Sequence, residues 1–423
     1  MHDTMPKLIH AADVPPLLRP GCKVFVQGGS GEPSAVLAAL RQTGPSCGGV
    51  NYFGILPTNI NRWDPASFAP DATMTAFFAT PEMAESLKRG ATSVWPLRYS
   101  AIDRYLTQAA SFDAALIQVA PPDSSGMCSL GVSVDFVPAM FARASMVIAE
   151  INPSMPAPPG SISIPFDKLA YAVETDHPLI EPAPDDTDEA SRRIGETVAT
   201  LIPDGSTIQM GTGRIPTAVL AAMKNKNDLG FHSGLMTEPV LDLIEAGNIN
   251  GRRKVIDAGK AVTGITYGRQ SFYQRLRTNP DILYRPVSYT HDADVIRRQD
   301  QLIAINSALE VDLAGQVNAE FVNGRQISGI GGLGDFVYGA SLARNGRSII
   351  ALPSRGGRGK SRIVLRLDHV TLARSDADLV VTEFGVADLR HKASAERAAA
   401  LTEIAAPEFR DELRAAYAGA VMR

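Results

Sequence analysis

Residues 23–40 read KVFVQGGSGEPSAVLAAL, and residues 206–223 read STIQMGTGRIPTAVLAAM. Each stretch passes from a short apolar run into a glycine-rich turn, Gly29-Ser30-Gly31 in one and Gly211-Thr212-Gly213 in the other, and then into Ala-Val-Leu-Ala-Ala. A buried run of strand length, a turn needing glycine's backbone freedom and a helical run make a strand-turn-helix unit. The offset is 182 residues at the glycines and 183 at the helix, a slip of one. A second echo follows each copy: ALIQVAPPDSSG leads into Asp123 and Gly126, and IAINSALEVDLAG into Asp312 and Gly315. Order along the chain is kept, so the sequence predicts two homologous α/β domains, residues 1–185 and 190–423.

The join is legible too. Pro153, Pro156, Pro158, Pro159, Pro165, Pro178, Pro182 and Pro184 interrupt any regular element before a boundary near Asp185. Beyond it, DTDEASRRIGETVATLI (186–202) opens with acidic residues and carries Ile194, Val198 and Leu201 on one face, as a capped amphipathic helix does. Elsewhere apolar runs such as AALIQV, SMVIAEI, TIQM, KVIDAG, QLIAIN, SIIAL and DLVVTEFG alternate with helical patterns. That alternation predicts mainly parallel sheets flanked by helices, with ligands gathered at the carboxyl ends of strands.

Composition narrows the function. The 423 residues are 45% hydrophobic and 20% charged, which fits a folded domain and excludes a fibre or a disordered tail. Forty-one basic against 45 acidic residues leave a formal charge of −4, and no Lys/Arg block suits nucleic acid. Cys22, Cys47 and Cys128 are odd in number and widely spaced, fitting neither a disulfide framework nor a zinc site, so a reducing compartment is expected. The opening MHDTMPKLIH lacks the pattern of a signal peptide, and no run approaches a membrane span. A cytoplasmic protein using no metal or redox cofactor is the expectation.

Both glycine turns are candidate anion sites, because N–H groups at a helix start point outward; a tight connection without ligand is the alternative for the first. Arg214 adds a cation to the second. Residues 314–340, AGQVNAEFVNGRQISGIGGLGDFVYGA, hold seven glycines around Asn318 and Glu320, more than packing alone requires. The N–H groups of Gly331 and Gly332 are candidates to hold a developing oxyanion, a donor type worth about 3 kcal/mol. Arg355, Arg358, Lys360 and Arg362 follow in a glycine-rich loop suited to phosphates, or simply solvated.

These residues resemble the acetyl-CoA hydrolase/transferase family of class I CoA-transferases, which includes 4-hydroxybutyrate CoA-transferases. The likeness rests on GEPSAVLAAL (31–40), PPDSSGMCSLGVSVD (121–135), AEINPSMP (149–156), IPDGSTIQMGTGRIPTAVL (202–220), GQVNAE (315–320), ISGIGGLGDFVYGA (327–340) and RSDADLVVTEFGVADLR (374–390). The resemblance implies fused CoA-transferase-like halves, a homodimer, and transfer through a glutamyl thioester. Coenzyme A and its acyl thioester are then substrates. Gly211, Thr212, Gly213, Arg214 and Ile215 match a CoA-binding segment, with Lys360 in the following basic loop, while Asn318 and Gly331-Gly332 match positions near the thioester.

The nucleophile does not carry over. The family's glutamate follows a His-Thr pair, and here the stretch reads LGFHSGLMTEPVLDLIEAG (229–247), with Gly234 at that place. Glu238 precedes Pro239 and reads as a helix-start carboxylate or a displaced nucleophile. Glu320 and Glu32 are the other carboxylates expected to face the cleft, and His232 is a candidate to orient water or substrate. Asn59, Asn61 and Arg62 in the loop 55–68 are candidates to meet a polar acyl group. Three readings stand: an acyl-CoA:carboxylate CoA-transferase, an acyl-CoA hydrolase, and a CoA-binding relative without catalysis.

Overall fold

The computed structural model describes residues 5–44, 48–183 and 186–421. Cys47 and the expected boundary residue Asp185 lie outside these residues, as does the Arg358 side chain. Two compact units emerge. The first takes the chain as far as Ala183 and adds Val262–Thr290 and Ile327–Gly331; the second takes the rest. Those two additions come from beyond the expected boundary, so the chain crosses between units more than once.

The first unit is built on eight strands: β1 (Lys7–Ile9), β2 (Lys23–Val26), β3 (Asn51–Gly54), β4 (Thr73–Ala76), β5 (Thr92–Val94), β6 (Phe112–Val119), β7 (Ala144–Ile151) and β8 (Tyr171–Glu174). They lie in the order β1-β8-β7-β6-β2-β3-β4-β5, and every pairing is parallel. Between β2 and β3 runs helix α1 (Ser34–Thr43), whose Val36, Leu37 and Leu40 are buried in the core with Val24, Val26 and Leu116. Each such side chain contributes about 1.5–3 kcal/mol, so Leu37→Ala would open the core beneath the first glycine turn.

The second unit has strands β9 (Thr207–Met210), β10 (Gly230–Phe231), β11 (Leu302–Ser307), β12 (Arg347–Ala351), β13 (Leu379–Thr382) and β14 (Gly385–Asp388) in the order β10-β9-β11-β12-β13-β14. All pairings are parallel except the last. Helix α2 (Glu189–Thr200) is capped by the Asp188 carboxylate, which accepts from the Ser191 N–H, as its sequence predicts. Helix α3 (Arg214–Ala222) follows β9 and packs on α2 at Gly195, where a Cβ would meet the Ala218 carbonyl at 2.6 Å.

The strand orders carry the duplication into three dimensions. The run β3-β2-β6-β7-β8 of the first unit repeats as β10-β9-β11-β12-β13 in the second, with β2 and β9 each followed by a glycine turn and a helix. The second echo holds as well. Asp123 Oδ1 accepts from the Ser125 and Met127 N–H groups, and Asp312 Oδ1 accepts from those of Ala314 and Gln316, the same side-chain turn in each unit. The strand expected at KVIDAG does not form. Val255 there is 62% exposed, Asp257 and Gly259 adopt positive φ, and buried Lys254 donates to the Phe231 and Lys260 carbonyls.

Candidate functional site

In the first unit the glycine turn is tightly enclosed. A Cβ on Gly28 would lie 1.9 Å from the Ile55 carbonyl oxygen, one on Gly29 2.1 Å from Ile265 Cδ1 and 2.9 Å from the Tyr267 hydroxyl, and one on Gly31 2.8 Å from Ser133 Oγ. Gly29 also has φ +63°, so glycine is required there twice over. Asn61 clamps the turn: its Oδ1 accepts from the Gly29 N–H at 2.7 Å and its Nδ2 donates to the Gly29 carbonyl at 3.2 Å and to Glu32 Oε2 at 2.7 Å. Asn61 is thus a buried brace, a correction to its expected place against substrate.

Glu32 is corrected in the same way. Its carboxylate is 4% exposed and also accepts from Trp63 Nε1 at 2.8 Å and Ser34 Oγ at 2.7 Å. Burial raises its pKa, and the three hydrogen bonds oppose that rise. A carboxylate so fully engaged ties loop to turn.

Around this turn stand polar atoms that none of the described residues satisfies. Ser30 Oγ, Ser133 Oγ and Asp135 Oδ1 are enclosed without a hydrogen-bond partner. Leaving such an atom unpaired costs about 1–3 kcal/mol. Asp135 also holds φ +37°, a strained backbone for a non-glycine residue. Burial, reinforced by the Asp103 carboxylate, pushes its carboxyl up to about 8, so at neutral pH it is largely a proton donor. Tyr99 and Tyr267 are held protonated, first by burial and then by the neighbouring Asp135. The Tyr99 N–H in turn donates to the Gly331 carbonyl at 3.1 Å, and Gly331 takes φ +60° beside the Phe78 ring.

In the second unit the corresponding turn is open. A Cβ on Gly211 or Gly213 would meet no described residue within 4 Å, although φ +108° still reserves Gly213 for glycine. Gly213 caps the start of α3, Thr212 is exposed and Ile215 is buried beneath. Arg214 is paired with Asp188 at 3.2 Å, both about half exposed, a weak surface interaction that leaves it able to reorient. The Arg362 guanidinium has a lowered pKa, through burial first and then the charge of Arg214, which places two cations in one neighbourhood. Lys360 is exposed. Arg355 is a correction to the expected cationic patch, because Glu408 engages its Nε at 2.6 Å and its Nη2 at 2.8 Å.

The third glycine cluster holds a buried imidazole. His291, 3% exposed, lies edge-on to Phe336 at 4.9 Å and against both Gly234 and Gly332. Helix α4 spans Glu238–Glu245, and further along the chain Gly332 caps helix α5 (Leu333–Leu342). Glu238 is the first residue of α4 and Thr237 its cap, so it occupies the helix start expected of it. His232 is fully buried, its Nδ1 3.2 Å from Gln299 Nε2, and it is enclosed beneath the cluster.

Glu320 and Asn318 form one local network. Asn318 Oδ1 accepts from the Glu320 and Phe321 N–H groups, and its Nδ2 donates to Glu310 at 3.0 Å and the Phe321 carbonyl at 2.8 Å. The Glu320 carboxylate accepts from Thr371 Oγ1 at 2.9 Å and Gln326 Nε2 at 3.3 Å, and burial raises its pKa. Among the described residues no group of three or more His, Cys, Asp or Glu is placed to hold a metal ion. Nor is any helix of theirs long and apolar enough to cross a membrane.

Comparison with known proteins now decides the family. Residues 3–181 match the model of the acetyl-CoA hydrolase/transferase N-terminal domain, and residues 268–417 that of its C-terminal domain. The chain belongs to the acetyl-CoA hydrolase/transferase family. Within the family it is 44% identical over 305 residues, 71% of each chain, to a 4-hydroxybutyrate coenzyme A transferase of Clostridium kluyveri. It is 34% identical over 401 residues, 90% of this chain and 89% of the relative, to a butyryl-CoA:acetate CoA-transferase of Anaerostipes caccae. The crystal structure of RipA from Yersinia pestis superposes with a TM-score of 0.91 at 31% identity, covering 99% of this chain and 98% of that one.

Sequence reasoning passed over Ser30, Ser133, Asp135, Tyr99, Tyr267 and His291. Ser133 and Asp135 lie inside the motif GVSVD, but only the fold shows that their polar atoms go unsatisfied. His291 carried no signal at all, since the glycines that frame it are 57 residues before it and 41 after.

Proposed function

We propose that this protein is an acyl-CoA:carboxylate CoA-transferase acting on a short-chain acyl-CoA whose acyl group carries a hydroxyl or other uncharged oxygen. The observation that supports this reading is the set Ser30, Ser133 and Asp135, enclosed and unpaired around the first glycine turn. Two hydroxyls and a protonated carboxyl offer donors and acceptors to a neutral oxygen, and binding such a group removes the cost of leaving them unsatisfied. The 4-hydroxybutyrate CoA-transferase among the relatives acts on an acyl group of that kind. CoA itself is assigned to the open turn Gly211–Ile215, with Arg214, Arg362 and Lys360 supplying positive charge to its phosphates.

A second reading, acyl-CoA hydrolysis, is favoured by one feature. Position 234, where the family resemblance places a glutamate, is glycine packed on the His291 ring. No thioester forms there, and water then competes with a carboxylate for the acyl carbon.

The test is CoA release from acetyl-, butyryl- and 4-hydroxybutyryl-CoA, with and without acetate, followed by mass spectrometry of borohydride-treated protein. Acceptor-dependent exchange, fastest with the hydroxyacyl thioester and slowed by Ser133→Ala, is the expected result. Thiol release indifferent to acetate would replace transfer by hydrolysis. A reduced Glu238 or Glu320 would instead place the thioester on a displaced carboxylate.

A further inference from the structure

The proline-rich stretch that follows β8 is tied to the first unit at several points. The Thr175 N–H donates to the Ile151 carbonyl at 3.1 Å, Asn152 Nδ2 to the His177 carbonyl at 2.9 Å, Gln270 Nε2 to the Leu179 carbonyl at 2.7 Å and the Tyr273 hydroxyl to the Ile180 carbonyl at 3.0 Å. These ties are neutral. His177 adds one of another kind: its Nε2 lies 3.0 Å from Glu150 Oε2 and its Nδ1 3.1 Å from the Pro178 carbonyl oxygen. Carbonyl and carboxylate oxygens accept and do not donate, so both ring nitrogens carry the protons, and a ring with two N–H groups is the imidazolium.

Glu150 gives that charge its consequence. It lies on β7, its side chain wholly buried, and its Oε1 accepts from the Val36 N–H at 2.6 Å while Oε2 meets His177, itself 27% exposed. Val36 stands in the first turn of α1, whose cap residue is Pro33, without a side-chain cap for the helix-start N–H groups. Glu150 supplies that cap from β7, its negative charge set at the positive end of the helix. The helix leaves directly from the first glycine turn, where Glu32 is a second buried carboxylate within electrostatic reach of His177. The ring thus meets Glu150 and Glu32 from the body of the unit and the Pro178 carbonyl from its own segment.

We propose that His177 is a pH-operated latch: its imidazolium holds residues 174–178 against Glu150 and, through Glu150, fixes the opening turn of α1, and loss of its proton releases both. The hydrogen bond to Glu150 raises the His177 pKa above the ordinary 6.5, with burial acting the other way. A group whose folded value is raised contributes fully below pH 6.5 and loses its contribution as pH climbs through that raised value. Beyond it, a neutral ring turns a lone pair on one of two acceptor oxygens, and two buried carboxylates lose the cation they share. The opening is local. Leu179 and Ile180 stay on their neutral ties, so the change falls on residues 174–178 and the Val36 amide and is separate from loosening of the unit as a whole.

The experiment pairs nitrogen-15 NMR of histidine-labelled protein with hydrogen exchange, expressed as protection relative to the unstructured rate at the same pH. Wild type should show both His177 ring nitrogens protonated at pH 6, a midpoint above 6.5, and loss of protection in 174–178 and at Val36 between pH 6 and pH 9. His177→Arg, a permanent cation, should keep that protection at pH 9, whereas His177→Gln, which also supplies the NMR assignment, should show the lowered protection at every pH. Glu150→Gln should bring the His177 midpoint down. Circular dichroism and thermal melting establish that each variant folds, and the half-exposed His177 variants keep the test decisive if Glu150→Gln does not. A singly protonated His177 ring at pH 6, protection in wild type that does not change with pH, or a wild-type pH profile in His177→Gln would each overturn the latch. All of these readouts are independent of which acyl group the protein takes.

Discussion

The two glycine turns began as one sequence signal, and the molecule uses them in opposite ways. At Gly28–Gly31 every added Cβ strikes a neighbour, and the turn is braced by Asn61 and Glu32 beneath unpaired hydroxyls. At Gly211 and Gly213 an added Cβ strikes nothing, and the turn faces outward beside Arg214. Behind each turn a glutamine bridges to the neighbouring strand: Gln27 Oε1 accepts from the Gln118 backbone N–H in one unit, and the Gln209 and Asn306 side-chain amides exchange hydrogen bonds in the other. The framework was kept and the surroundings diverged. A glycine turn alone thus states a backbone geometry, and what surrounds it decides whether the turn is sealed or open.

The largest expected effect tests that contrast directly. Gly28→Ala drives a Cβ to 1.9 Å from the Ile55 carbonyl oxygen, a backbone atom that cannot swing aside. Overpacking against fixed backbone costs about 1–3 kcal/mol or more, so a thermal melt of the variant should show the first unit unfolding well below the wild type. Gly211→Ala, into open space, should melt within about 0.5 kcal/mol of wild type, as surface substitutions do. Equal destabilisation by the two would end the distinction between a sealed and an open turn.

Next in size is Gly234→Ala, because crowding in the second unit falls at His291 instead of at the turn. The new methyl meets the imidazole at 2.3 Å, and the ring must rotate or retreat. Stability should fall by about 1–2 kcal/mol. Gly234→Ala combined with His291→Ala should regain stability relative to Gly234→Ala alone, as a calorimetric melt would show.

How much of this was written in the sequence follows the same division. The repeat, the alternation of strands and helices, and the capped helix after Asp188 were readable, since each depends on local periodicity and turn chemistry. The open turn was readable as well, because Gly-Thr-Gly-Arg announces both its backbone and its charge. Glu32 and Asn61 were misplaced because their partners are up to 32 residues away, and only burial reveals that a carboxylate with three hydrogen bonds faces inward. KVIDAG failed for a related reason: an apolar run of strand composition pairs with no neighbouring strand once Lys254 is drawn under Phe231.

The two units should also part company with pH. His291, in the second, has a folded value of about 3 against an ordinary 6.5, so the unfolded chain binds its proton first as pH falls. Its contribution to stability is complete above pH 6.5 and is lost progressively toward pH 3. Asp135, in the first, has a folded value of about 8 against an ordinary 3.8, so the native state keeps its proton longer, and stability falls as pH rises from 3.8 to about 8. Hydrogen exchange read by mass spectrometry should show the second unit loosening first at pH 5 and the first unit loosening first at pH 8.5. Asp135→Asn should abolish the alkaline trend alone, and identical pH profiles for the two units would contradict the assignment of these groups.

The smallest effect concerns the open turn itself. Arg214 makes an ion pair with Asp188 in which both side chains are about half exposed, so its loss should leave melting unchanged within about 0.5 kcal/mol. Its value lies in the positive field it shares with Arg362, whose guanidinium already registers its charge. Arg214→Gln should therefore raise KM for acyl-CoA by a few-fold while kcat holds, and the difference from wild type should shrink as salt is raised from 0.05 to 0.5 M, because screening already removes much of what the arginine contributes. A change in kcat with KM constant would instead place Arg214 at the chemical step.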